Sequence, residues 1–226
     1  MLQAVIFDFD GVIVDTEPLH YRAFQEILEP LGLGYSWEAY VDSYMGYDDR
    51  EAFVEAFRAA GRSLDGTLLG EFIARKAAAF QTVIASGVYP YPGVVELIRE
   101  ISGKLPLAVC SGALPSDIDP ILAQLGITDC FDVIVTAVDV AASKPDPASY
   151  TLAAAKLADK HREKNLTASS CLAIEDTPAG IASATGAGIT VLAVTNSYPA
   201  SMLSHAVRIV DSLNDVSLDD LRRLVP

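Results

Sequence analysis

Six short apolar runs, continuous rather than alternating, constrain this chain more than anything else in it: Ala4 to Phe7, Pro106 to Cys110, Asp132 to Thr136, Cys171 to Ile174, Thr190 to Val194 and Arg208 to Val210. A strand with one face in water alternates apolar and polar residues, whereas a strand buried on both faces does not. Between the later runs lie helical patterns, at Val94 to Ile101, Ser116 to Leu125, Pro147 to Leu157 and Pro178 to Gly186. Two of these carry start signals. Asp146 precedes Pro147 and Thr177 precedes Pro178, each a good N-cap with proline at the first helical position. The alternation predicts an α/β fold, a Rossmann-like core with a parallel sheet flanked by helices.

One segment breaks the alternation. From Thr16 to about Ser86 there is no strand pattern, only helical ones such as Leu19 to Leu31, Arg50 to Ala60 and Leu68 to Ile84. This predicts a small α-helical domain at 16–86, inserted into a core of 1–15 and 87–226. The stretch Gly87 to Gly93 holds two prolines and reads as the return linker.

A chain of 226 residues that is 51% hydrophobic can bury a large core. Its 30 acidic against 16 basic side chains give a formal charge of −14, which repels nucleic acid and anionic membrane surfaces. Neither is expected as a partner. The odd number of cysteines, Cys110, Cys130 and Cys171, each beside an apolar stretch, reads as reduced core thiols and points to a cytoplasmic protein. No charged leader precedes a long apolar segment, and no run approaches the ~18 apolar residues of a membrane span. Nothing in the sequence bears on oligomeric state.

The polar residues gather where predicted strands end. Asp8 and Asp10 follow the first run, Ser111 the second, Lys144 lies in the loop after the third, and Glu175 with Asp176 follow the fourth. In an open parallel sheet the carboxyl ends of the strands form the ligand crevice, so these residues converge there. Four buried carboxylates need a cation, and an oxygen-only set without a His or Cys cluster suits a hard ion such as Mg²⁺. Four negative charges against one Mg²⁺ and Lys144 leave the site negative, so crowding favours keeping one carboxyl protonated. A protonated Asp can serve as general acid, and a carboxylate such as Asp8 can act as nucleophile in phosphoryl transfer. Gly11 lets the backbone turn sharply after Asp10.

With these motifs in order, DFDGVIVDT at 8–16 with its strand, CSGA around Ser111, ASKPDP around Lys144 and AIEDTPAGI around Glu175 and Asp176, the whole chain resembles the haloacid dehalogenase superfamily. Within it the chain is similar to the β-phosphoglucomutase-like and phosphoglycolate-phosphatase-like group. The resemblance implies that Asp8 is the nucleophile and Asp10 the acid/base. It implies that Ser111, with Gly112, and Lys144 hold the phosphoryl group. Mg²⁺ would sit on Asp8, the Asp10 backbone carbonyl, Asp176, and Glu175 directly or through water. The insert would be a helical cap closing over the site. Thr16, His20 and Lys76 match, more weakly, positions where the mutase group links cap and core.

Taken singly, each motif also has a structural reading: a strand and turn for DxDG, a turn for Ser111-Gly112, a solvated loop for Lys144, a helix-start charge pair for Glu175-Asp176. Their joint order after successive strands favours chemistry. His20 reads first as a packing residue, Arg50 and Lys76 as solvated charges of the insert with a functional lean for Lys76, and the Tyr35 to Tyr47 aromatics as packing. The expected activity is hydrolysis of a small sugar or polyol phosphomonoester through an aspartyl-phosphate. The alternatives weighed are a β-phosphoglucomutase-type mutase, a phospho-receiver signalling module and a metal-free dehalogenase. A receiver carries its acceptor on a middle strand and no insert, and the dehalogenases lack the second Asp. Against the mutase, Met45 stands where its group has a Lys before Gly46, and Arg50 falls one place late, behind Asp48 and Asp49.

Overall fold

A computed structural model describes every residue of the chain except Gly46, Asp48 and Pro226. The chain divides into two compact units, Met1–Asp15 with Val88–Pro226, and Thr16–Gly87. The first is α/β. Its strands are β1 (Ala4–Phe7), β2 (Leu107–Cys110), β3 (Val133–Val135), β4 (Cys171–Glu175), β5 (Thr190–Val194) and β6 (Arg208–Val210). They form one sheet in the order β3-β2-β1-β4-β5-β6, with every pairing parallel. The order reverses at β1, where Ile6 pairs with Ala108 on one side and Ala173 on the other. Such a reversal opens a crevice at the carboxyl ends of the strands.

The helices of this unit are α5 (Val94–Ile101), α6 (Pro115–Leu125), α7 (Ala148–Lys160), α8 (Pro178–Gly186) and α9 (Leu218–Arg222), numbered after four in the insert. Why the runs are continuous is plain in β1. Ala4 and Ile6 pack with Tyr150, Leu157 and Ile181 of α7 and α8, while Val5 and Phe7 point to the other face and are also fully buried. The strand ends differ slightly from the sequence reading. Pro106 lacks an N–H, so the ladder of β2 starts at Leu107, whose N–H bonds the Asp132 carboxylate at 3.1 Å. Helix α7 starts at Ala148 rather than Pro147, yet Asp146 still accepts from the Ala148 N–H at 2.9 Å. Thr177 caps α8 through the Gly180 N–H, as its sequence predicts. The cysteines are all free, but only Cys110 and Cys171 are core residues; Cys130 is half-buried because it closes a short turn of 3-10 helix before β3.

The second unit is helical: α1 (Glu17–Leu28), α2 (Trp37–Ser43), α3 (Asp49–Ala59) and α4 (Gly66–Ala85). Phe24, Leu28, Tyr40, Phe53 and Phe72 are among its core residues. Helix α2 is absent from the sequence reading because seven residues give too short a period; Ser36 caps it through the Ala39 N–H. Tyr40 and Tyr44 are buried in an aromatic stack with Tyr35, as expected, but Trp37 and Tyr47 are exposed. Lys76 is a second departure. It is 3% exposed rather than solvated, because its Nζ lies over the rings of Phe24 and Phe80, 4.8 and 5.1 Å from their centroids, while Asp49 accepts from it at 2.7 Å. Among the described residues, no helix is long and apolar enough to cross a membrane.

Candidate active site

The turn after β1 is built around its glycine. Gly11 has φ +78°, and a Cβ there would lie 1.9 Å from Asp176 Oδ2, so the turn and the end of β4 touch only because this side chain is missing. That approach sets Asp8 beside the carboxyl end of β4: Asp8 N–H donates to the Ile174 carbonyl at 3.0 Å. The Asp8 carboxylate then accepts from Phe9 N–H at 2.7 Å and from Lys144 Nζ at 2.8 Å, both at Oδ1. Lys144 reaches in from the loop after β3, and also donates to Glu175 Oε1 at 2.7 Å and the Cys110 carbonyl at 3.1 Å. One ammonium therefore ties together the ends of β1, β2 and β4.

Glu175 is 0% exposed, and its carboxylate is held by protein donors. Its Oε1 takes Lys144 and the Tyr150 hydroxyl at 2.7 Å; its Oε2 takes Asp176 N–H at 3.2 Å and Thr177 hydroxyl at 3.4 Å. Asp176 is nearly as buried, and its two oxygens differ. Oδ2 accepts from the Ser197 hydroxyl, whereas Oδ1 is buried with no hydrogen-bond partner. An orphaned carboxylate oxygen inside a protein is costly, and a cation is the usual remedy. One oxygen each from Asp8, Glu175 and Asp176 lie within 4.8 Å of one another.

The electrostatics point the same way. Burial, then the charge of Glu175, pushes the Asp8 carboxyl well above the ordinary aspartate range despite Lys144. Burial likewise pushes Asp176 up to about 7, the Ser197 hydrogen bond opposing and Glu175 adding to the rise. Burial alone would lower the Lys144 ammonium, but Asp8 and Glu175 hold it above the usual lysine value. The carboxyls that burial and crowding raise are therefore Asp8 and Asp176. Both shifts are what a dication reverses, and an all-oxygen set of hard donors fits Mg²⁺ chemistry.

Asp10 and Ser111 complete the crevice. Ser111 Oγ lies 3.3 Å from Asp10 Oδ2 as donor and accepts from Ala113 N–H at 2.9 Å. A Cβ on Gly112 would meet nothing within 4 Å, so its backbone borders open space. The structure thus brings together Asp8, Asp10, Ser111, Lys144, Glu175 and Asp176. Thr16, His20, Arg50 and Lys76 belong to the second unit. There Thr16 is buried before α1, Arg50 is exposed on α3, and His20 stacks on Phe80 with ring centroids 4.2 Å apart. His20 Nδ1 accepts from Lys76 Nζ at 2.9 Å, so within this unit the ring has both a packing face on Phe80 and a polar partner. Of the stretch read against the mutase pattern, Gly46 and Asp48 lie outside the described residues, Met45 is exposed, and Asp49 neutralises Lys76.

Three side chains escaped the sequence reading. Tyr150 sits at ordinary core spacing on α7 and gives no signal. Asn196 and Ser197 follow β5 after Thr195, and the same strand-end rule that found the others applies to them. Asn196 Nδ2 donates to the Gly11 carbonyl at 2.7 Å.

A doubly wound sheet with two aspartates closing its central strand and a lysine bridging to the next is a phosphoryl-transfer type of hydrolase site, and the sequence places it in a family. Residues 5–194 match the haloacid dehalogenase-like hydrolase family, and the chain belongs to it. It is an enzyme of the phosphatase kind found there. The fructose-1-phosphate phosphatase YqaB of Escherichia coli is 30% identical over 192 residues, 84% of this chain and 95% of that protein. β-Phosphoglucomutase of Bacillus subtilis is 31% identical over 227 residues, covering 96% and 93%. Among solved structures, a variant of CbbY from Rhodobacter sphaeroides in complex with xylulose-(1,5)bisphosphate superposes with a TM-score of 0.81 at 26% identity, over 98% of this chain and 99% of that one.

Proposed function

We propose that the protein is a Mg²⁺-dependent phosphohydrolase that cleaves small sugar or polyol phosphomonoesters through an aspartyl-phosphate on Asp8. The observation that carries this is the Lys144 bridge between Asp8 and Glu175 beside the orphaned Oδ1 of Asp176: an oriented nucleophile next to a place for a cation. Asp8, Asp176 and the Asp10 carbonyl would hold the ion. Glu175, with Oε1 filled by Lys144 and Tyr150, acts through water and anchors the lysine. Bound there, Mg²⁺ supplies the positive charge that lets an anionic phosphoryl group approach carboxylates.

The steps use this chain's own groups. An oxygen of the Asp8 carboxylate attacks phosphorus as the bond to the substrate oxygen breaks, and Asp10 gives that oxygen its proton. Ser111, the Gly112 backbone and Lys144 hold the transferring phosphoryl oxygens. Water then attacks phosphorus, Asp10 takes its proton, and inorganic phosphate leaves with Asp8 restored. Residues 16–87 serve as the helical cap that sets specificity. Hydrolysis ranks above the mutase reaction because holding a second phosphate needs positive charge in the cap. Here Met45 offers none, and the buried Lys76 is already neutralised by Asp49.

The test is a phosphomonoester screen led by fructose 1-phosphate, paired with β-glucose 1-phosphate plus a bisphosphate activator. Steady phosphate release with little glucose 6-phosphate is expected. Efficient interconversion with negligible phosphate release would establish the mutase instead.

A further inference from the structure

The turn after β5 touches both halves of the acidic site. Ser197 is an exposed residue on that turn, and its hydroxyl nevertheless donates to Oδ2 of the buried Asp176. Its neighbour Asn196 donates to the carbonyl of Gly11, 185 residues away, in the turn that follows Asp8 and Asp10. The three segments are in close packing here: a Cβ on Gly11 would stand 1.9 Å from Asp176 Oδ2 and 2.9 Å from Ser197 Oγ. No apolar burial requires either side chain. Both lie past the last buried residue of β5, Val194, and what they offer is one directed hydrogen bond each.

We infer that Asn196 and Ser197 are positioning residues for a divalent cation at the active site. This rests on the proposal that Asp176 ligates the ion. A carboxylate free to rotate about its Cβ–Cγ bond presents either oxygen. With Oδ2 held by Ser197, the rotation is fixed and Oδ1, the oxygen without a partner, is the one turned to the ion. Asn196 does the matching task on the other strand. By holding the Gly11 carbonyl it fixes the peptide geometry of the turn whose preceding residue, Asp10, offers its own carbonyl. Groups that orient metal ligands in this way are worth 10- to 100-fold in affinity when removed.

The experiment measures binding of Mn²⁺ alone to the full chain, through the electron paramagnetic resonance signal of the free ion, with Mg²⁺ competition as a second readout. Ser197→Ala is expected to weaken Mn²⁺ binding by about tenfold, and Ser197→Thr, which keeps the hydroxyl on an exposed turn, to restore most of it. Asn196→Ala should weaken it in the same sense. The melting temperature in excess chelator is recorded for each, and should move little. Asp176→Asn separates the two claims. If it binds Mn²⁺ as well as the wild type, Asp176 is not a ligand and the underlying reading fails. If Asp176→Asn loses binding while Ser197→Ala and Asn196→Ala keep wild-type affinity, the inference about the turn alone is overturned. A Ser197→Thr variant as weak as Ser197→Ala overturns it too, since the hydroxyl would then not be the active feature.

Discussion

At the scale of single residues, the site depends on a buried anion that the protein has nearly saturated. Glu175 accepts two donors at Oε1 within 2.7 Å, and Tyr150 is one of them. Removing that hydroxyl leaves a buried charge with one fewer donor, which costs about 2 kcal/mol when the acceptor is ionised. Tyr150→Phe is therefore expected to lower the melting temperature by roughly 4–8 °C in a chain of this length, and to reduce turnover by loosening Lys144. An unchanged thermal transition would mean that Lys144 alone satisfies Oε1. Asp8→Asn makes the opposite kind of change. The amide keeps the volume and can still accept at its oxygen, so the fold stays, but it cannot form the phospho-enzyme and essentially all turnover should vanish. A well-folded variant with normal phosphate release would exclude Asp8 as nucleophile.

At the scale of elements, two contacts decide how strands and helices tolerate change. Gly180 lies in α8, where alanine normally stabilises a helix by about 1 kcal/mol over glycine. Here a Cβ would stand 2.0 Å from the Glu175 carboxylate, which its donors hold in place, so the sign reverses. Gly180→Ala should destabilise by about 1–3 kcal/mol, read as a lower urea midpoint at unchanged slope. In the helical unit, His20 on α1 meets Lys76 on α4. Burial, then the charge of Lys76, lowers the His20 pKa from 6.5 to about 3. Between those values the unfolded chain binds a proton that the folded one refuses. Stability should therefore fall as pH drops through this window, by up to about 1.4 kcal/mol per pH unit from this residue. Replacing His20 by Asn should flatten that slope in urea titrations between pH 6 and 4; an unaltered slope would show that His20 stays neutral in both states or charged in both.

At the scale of the whole molecule, the sheet and the acidic site were legible because both obey period and position. Double-sided burial makes a strand like Cys171–Glu175 read as a continuous run, and the strand-end rule then collects Asp8, Ser111, Lys144 and Asp176 from distant parts of the chain. What could not be read are contacts with no period of their own. Tyr150 looks like any core aromatic until the fold sets it against Glu175, and α2 is too short to show a helical repeat.

One property of the entire chain remains legible and has kinetic consequences. A formal charge of −14 surrounds a site whose proposed substrate is a dianion, so the long-range field opposes the encounter that the cation and Lys144 favour at short range. The two act over different distances. Screening extends ~30 Å at 0.01 M salt and ~8 Å at 0.15 M, so added salt removes most of the repulsion from distant surface carboxylates. Contacts inside the buried site are screened much less. At saturating Mg²⁺, kcat/KM for a phosphomonoester should therefore rise several-fold between about 0.01 and 0.15 M inert salt, while kcat stays nearly constant. A steady fall of kcat/KM over that range would show that local positive potential at the mouth of the site, rather than the net charge of the molecule, governs capture.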